Sequence, residues 1–249
     1  MTKDLEIREC VTLDQLAECV QLQREVFELP EVELSPVRHF VVTRNAGGFT
    51  LGAYDGERLA GYVLSVPAFL RGERAFYSHM TGVRFEYQSI GVGAKLKWAQ
   101  RTRALEEGVE YIKWTFEPTK ARNAYFNLEK LGAIMLDYQR NFYGTDYAVS
   151  PESGKQIGLQ SDRLFAEWHL RSEKVETLAA GRIYKETRQP MATIEIPNDW
   201  NTLVSSDPAA GLAVQLRIRS EFESAFAAGQ IVRGFKRDAE HPMYLIYAD

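Results

Sequence analysis

The chain has 249 residues, a net charge of −4, 45% hydrophobic and 26% charged residues, and two cysteines. A chain this long buries roughly 70–75% of its unfolded surface, so a substantial core is available, as one large domain or two small ones. Charges of both signs are dispersed without a Lys/Arg run, which argues against nucleic acid and anionic membrane surfaces as partners, and no apolar run approaches the ~20 residues of a bilayer span.

In chain order, Leu5–Cys10 reads as a short strand. Thr12–Phe27 reads as a helix behind a Thr start, with Leu13, Leu16, Val20 and Phe27 at roughly helical spacing. Pro36–Thr43 adds a short helix. Phe49–Tyr54 and Arg58–Phe69, joined through Asp55-Gly56, give a hairpin signal, and Arg74–Val83, rich in aromatic and β-branched residues, is a further strand. Gly93–Glu107 reads as helix and Tyr111–Phe116 as an apolar strand ending before Pro118. Lys120–Leu131 reads as a helix stopped by Gly132, and Ala133–Tyr138 and Arg140–Tyr143 are extended again.

Ser150-Pro151-Glu152-Ser153-Gly154 is linker-like and divides a first domain, 1–149, from a C-terminal extension, 150–249. In the extension Leu164–Leu170 supplies a closing strand for the first domain, and Thr193–Ile196 reads as a strand before the turn Pro197-Asn198-Asp199. Pro208–Ala228 reads as a helix directing Leu212, Leu216, Phe222 and Phe226 to a core. Ile231–Lys236 and Met243–Ala248 pair as a hairpin across Arg237–Pro242. About 75 residues is marginal for an independent core, so this tail is expected to pack on the first domain. There it either covers an acceptor site or serves as a stabilising appendage, or as one that builds a homodimer.

The most informative stretch is Val83-Arg84-Phe85-Glu86-Tyr87-Gln88-Ser89-Ile90-Gly91-Val92-Gly93, which runs from a strand into a helix. Glycines at 91 and 93 allow close approach of a backbone to an anion, and the free N–H groups of the new helix favour negative charge. Neither G-x-x-x-x-G-K-[ST] nor G-x-G-x-x-G occurs, which excludes a P-loop and a dinucleotide fingerprint. What stands here is Q-x-x-G-x-G, and it resembles the pyrophosphate-binding motif [QR]-x-x-G-x-[GA] of GNAT-type N-acetyltransferases. The element order over the first part of the chain is the GNAT order. Asn123-Ala124-Tyr125-Phe126-Asn127-Leu128-Glu129-Lys130-Leu131-Gly132-Ala133 resembles the A-x-x-x-[YF]-x-x-x-G helix of that family. The run from Pro118 to Tyr143-Gly144 is similar to an uncharacterised branch of predicted acetyltransferases with a C-terminal extension.

The resemblance implies an α+β fold with a mixed, mostly antiparallel sheet flanked by helices, and an acyl-CoA-dependent N-acyltransferase. Acetyl would pass from acetyl-CoA to a primary amine, carried by a small molecule or a peptide, by direct attack in a ternary complex. It also implies that amides of Ser89, Ile90, Gly91, Val92, Gly93 and Ala94 hold the diphosphate with Gln88 at the start of the loop. The main chain of Met80–Val83, with Thr81 and Val83 among the cofactor contacts, would polarise the thioester carbonyl. Asn123 would contact cofactor or cap its helix, with helix start the plainer account.

Strand alternation places Tyr77, His79, Thr81 and Val83 on one face. His79 and Tyr77 occupy positions where several family members place a general base, and an imidazole of ordinary pKa ~6.5 suits that task; a hydrogen-bonded strand histidine is the alternative. Glu117 is a second candidate base, against a solvated strand end. Many members carry a Tyr general acid where this chain has Leu128; Tyr125 and Tyr143 are nearby substitutes, against simple packing aromatics. Leu128 therefore keeps open a second function, an acyl-CoA-binding regulatory module without turnover. Glu25, Glu28, Glu31 and Glu33 form an acidic cluster, read as a solvated turn or as a lure for a cationic amine. The histidines at 39, 79, 169 and 241 are scattered and the cysteines have no ligand spacing, so no metal is expected. Met1-Thr2-Lys3-Asp4-Leu5-Glu6 lacks a signal-peptide core, and with two unspaced cysteines the expectation is cytoplasmic and reduced.

Overall fold

The computed structural model describes residues 5–27, 29, 31–144 and 159–249. The chain divides into two compact units, Met1–Lys113 and Trp114–Asp249. The expected boundary at 149/150 and the cluster 150–154 lie outside the described residues.

The first unit opens with β1 (Glu6–Glu9) and α1 (Leu13–Phe27). Thr12 and Gln15 start α1 as a reciprocal capping box: Thr12 Oγ1 accepts from the Gln15 N–H at 3.2 Å, and Gln15 Oε1 accepts from the Val11 and Thr12 N–H groups at 2.9 and 3.0 Å. Thr12→Ala should cost about 1 kcal/mol and lower the thermal midpoint by about 2–4 °C; an unshifted melt would show that the box adds nothing.

Next come α2 (Val37–Asn45), β2 (Phe49–Asp55), β3 (Arg58–Leu70) and β4 (Glu73–Val83). Helix α3 (Val92–Glu106) and β5 (Tyr111–Phe116) follow, β5 running across the division between the units. The strands lie in the order β1-β2-β3-β4-β5. β1 through β4 pair antiparallel, whereas β4 and β5 are parallel at Phe76↔Ile112 and Tyr77↔Lys113.

Helices cover both faces of these strands. A Cβ at Gly82 would strike Leu22 of α1, and one at Gly61 would approach Leu96 of α3. Gly61 pairs with Val83 and its neighbour Tyr62 with Gly82, and successive strand residues point to opposite faces. The core on the α1–α2 side gathers Leu16, Cys19, Leu22, Phe40, Tyr54, Tyr62 and Leu64.

In the second unit, α4 (Ala121–Tyr125) continues as a π-helical turn over Phe126–Lys130, as expected of one helix stopped at Gly132. It is followed by β6 (Ile134–Gln139), β7 (Arg163–His169), α5 (Glu173–Ala179) and β8 (Ala192–Glu195). Then come α6 (Trp200–Ser206), α7 (Pro208–Ala227), β9 (Gln230–Lys236) and β10 (Met243–Ala248). The strand order is β7-β6-β9-β10-β8, antiparallel throughout. Tail strands β7 and β9 thus flank β6.

Three expectations need correction here. Arg140–Tyr143 is a turn rather than a strand: Asn141 has φ +47°, and the buried Asp162 accepts the Asn141 N–H at 2.9 Å while pairing with Arg219. The buried face of α7 is Gly211, Gln215, Ile218, Phe222 and Ala225, leaving Leu212 and Leu216 exposed. Gln215 is drawn inside because its Nε2 donates to the Gln160 carbonyl at 2.6 Å. Helices α5 and α6 were not expected at all; Asp199, read as part of a turn, caps α6 through the Thr202 N–H.

Candidate active site

Strand β4 carries the first part of the site. Its register on β3 runs Val63↔Thr81, Leu64↔Met80 and then Ser65↔Ser78, so His79 is an extra residue, a β-bulge. The bulge overturns the strict alternation read from the sequence. His79 and Met80 both face α1 and α2, with Gly82 beyond them. Thr81 and Val83 are turned to the α3 face, where Val83 Cγ2 lies beside the position of a Cβ on Gly61. Among the described residues, Ser78–Val83 have register partners in β3 only.

His79 is not alone. Its Nε2 lies 3.1 Å from Ser35 Oγ, and the His39 ring packs edge-on with centroids 5.3 Å apart. Ser35 is fixed by Gln23, whose Oε1 accepts the Ser35 N–H at 2.9 Å and whose Nε2 donates to the Ser35 carbonyl at 3.1 Å. Nε2 of His39 is buried with no hydrogen-bond partner. Burial, followed by the neighbouring His39, holds the His79 pKa below its ordinary value. Folded His79 therefore binds fewer protons than unfolded His79 between its lowered pKa and ~6.5. Its neutral form supports the fold fully above ~6.5, and that support is lost as pH falls toward the folded pKa. Urea midpoints measured against pH should fall less steeply on the acid side in His79→Gln; parallel curves would contradict the shift.

The second part is the turn from β4 into α3. Arg84 Nε donates to the Leu59 carbonyl at 2.7 Å, and the guanidinium pairs with Glu25 of α1. A 3-10 turn at Phe85–Tyr87 follows, and the Tyr87 hydroxyl donates to Asp55 at 2.7 Å. Gln88 folds back, its Nε2 donating to the Val83 carbonyl at 3.0 Å. These bonds brace the turn before the glycines.

Past them the chain lies open. Ser89 has φ +65° and Gly91, the N-cap of α3, φ +91°. Ser89, Ile90 and Gly91 are exposed, and no side chain caps the helix. The first bond to close runs from the Lys95 N–H to the Gly91 carbonyl at 3.0 Å. The N–H groups of Val92, Gly93 and Ala94 precede it and have no intrahelical partner. A braced helix start without a side-chain cap leaves N–H groups that can receive an anion such as a diphosphate.

Glu117, Asn123 and Tyr125 belong to the second unit. Glu117 pairs with Lys120 at 3.6 Å. Asn123 is exposed in the first turn of α4, whose N-cap is Lys120, and it lines a hollow with Arg122, Asp199 and Trp200. The Tyr125 ring has the Lys130 and Arg237 cations at 5.5 and 5.4 Å from its centroid. Leu128 is fully buried. In the acidic cluster Glu25 pairs with Arg84 and Glu31 with Arg24, while Glu28 lies outside the described residues. Among the described residues no group of His, Cys, Asp or Glu is arranged to hold a metal, and no helix is long and apolar enough to cross a membrane.

The sequence reading missed Ser35 and His39. Nothing in their spacing ties them to His79; only the packing of the α1–α2 segment against β4 does.

The mostly antiparallel sheet flanked by helices is a fold that this chain shares with solved GNAT-family structures. No protein-family model and no curated protein sequence matches the chain. Its likeness is to solved structures. A protein assigned to the GNAT acetyltransferase family, from Desulfovibrio desulfuricans, superposes with TM-score 0.52 at 14% identity, over 67% of this chain and 99% of that one. The ribosomal-protein-S18-alanine N-acetyltransferase of Escherichia coli does so with TM-score 0.52 at 12% identity, over 74% and 98%. A chain of the NatC complex, solved with a Gag peptide and CoA, gives 0.52 at 15% identity, over 67% and 98%. At such identities the likeness is one of fold.

Proposed function

We propose that this protein is an acyl-CoA-dependent N-acyltransferase, with acetyl-CoA as co-substrate and a primary amine on a small molecule or peptide as acceptor. The observation that carries this reading is the braced but uncapped start of α3, with Gly91 at φ +91° behind Gln88. The NatC structure, solved with CoA and a peptide, supports it by likeness of fold.

The co-substrate supplies an acyl group activated as a thioester. Amides of Ser89 to Ala94 bind its diphosphate, each charge-assisted bond contributing about 1.5–3 kcal/mol. The β4 main chain at Met80–Val83, past the last pair with β5, orients the acyl end. His79 takes the proton from the acceptor amine. With its Nε2–H donating to Ser35 Oγ, Nδ1 carries the lone pair, and the lowered pKa keeps that nitrogen unprotonated at neutral pH. Glu117, Asn123 and Tyr125 stay secondary candidates for proton handling and cofactor contact.

Calorimetry with CoA tests the cradle, and a mass-read screen of amines with acetyl-CoA tests transfer. Absence of CoA binding would sink the reading. Binding without transfer to any amine would favour the second reading, a regulatory acyl-CoA-binding module, for which Leu128 speaks: a buried aliphatic side chain offers no proton to a departing thiolate.

A further inference from the structure

Beneath α3 lies a polar chain that packing alone does not require. Lys97 Nζ donates to Ser78 Oγ at 3.1 Å and to Gln100 Oε1 at 2.6 Å, and Gln100 Nε2 donates to Ser65 Oγ at 2.7 Å. All four side chains are buried, Gln100 and Ser65 completely. Burying an amine and an amide is costly even when they are bonded, and aliphatic residues would serve a helix on a sheet at less cost.

The two serines are not an arbitrary pair. Ser65 and Ser78 face each other at the step where the β3–β4 register shifts, directly beside the extra residue His79. A bulge displaced by one residue would exchange the faces of the side chains it passes. In β4 that exchange would take His79 away from Ser35 and His39.

We propose that Lys97 and Gln100 are positioning residues, which clamp the Ser65–Ser78 pair to α3 and so fix the β4 bulge at His79. The same helix begins with the open amides of Val92 to Ala94, and Gly93 lies ~6 Å along the axis from Lys97. One rigid element therefore sets both the cradle and the bulge. The catalytic consequence rests on the acyltransferase reading; the clamp itself does not.

The test uses the whole chain without ligand. In Lys97→Met and Gln100→Leu, the His79 imidazole resonance should move or split, and amide exchange at Ser78, Met80 and Thr81 should quicken at least tenfold. Exchange in β1 and β2 should change less than twofold. A folded Lys97→Met protein with unmoved His79 signals and unchanged β4 exchange overturns the proposal, as does a uniform rise over β1 to β4, which would signal general loosening. Should Lys97→Met fail to fold, Ser78→Ala, a smaller deletion that cuts the same link, decides on the same readouts. Wild-type protein that ignores CoA would remove the acyltransferase reading and leave these outcomes as decisive as before.

Discussion

Replacing His79 by alanine is expected to lower turnover by about 10²–10⁴-fold, the usual worth of a positioned general base. The effect should fall on kcat, with CoA affinity within twofold of wild type, because the cradle at Ser89–Ala94 belongs to a different segment. The acid limb of the wild-type rate should lie below the ~6.5 of an ordinary imidazole, since burial and His39 both disfavour the charged ring. Turnover unchanged in the alanine variant, once the right amine is in hand, would remove His79 from the chemistry.

Gly91→Val should weaken CoA binding at least tenfold, which corresponds to about 1.4 kcal/mol or more. A β-branched residue resists φ +91°, so the turn must reshape and the amides that follow must re-aim. A Cβ at Gly91 meets nothing within 4 Å, so the loss would be conformational rather than a collision. Gly56, in the β2–β3 turn at φ +61° and equally free of neighbours, supplies the control. Gly56→Val carries the same kind of strain elsewhere and should leave CoA affinity alone. Equal loss in both variants would show that general destabilisation, and not the cradle, governs binding.

The sequence reading of this chain succeeded where a local rule decides structure. The Asp55-Gly56 hairpin, the helix behind Thr12, the glycine turn at 88–93 and the stop at Gly132 each follow from chemistry within a few residues. It failed where distant residues decide. Nothing local marks His79 as the extra residue of β4; the register follows from β3 opposite and from Lys97 and Gln100 above. The edge-on contact of His39 with His79 joins segments whose sequences are silent about each other. Helix α7 misled because apolar residues lie on two of its stripes, and distant partners decide which one turns inward: Tyr138 and Tyr244 against Phe222, and the Gln160 carbonyl for Gln215. Arg140–Tyr143 looked extended by composition, but the Asp162 carboxylate bends it.

Both cysteines, Cys10 and Cys19, are shut inside the α1 side of the first unit, at 1% and 0% exposure. A chromogenic disulfide reagent mixed with the folded protein therefore finds no thiol of the protein's own to colour it. If the proposed acyl transfer takes place, absorbance that grows while acetyl-CoA and an amine are present would report liberated coenzyme directly, and acceptors could be ranked in a continuous optical assay without first masking the protein's cysteines.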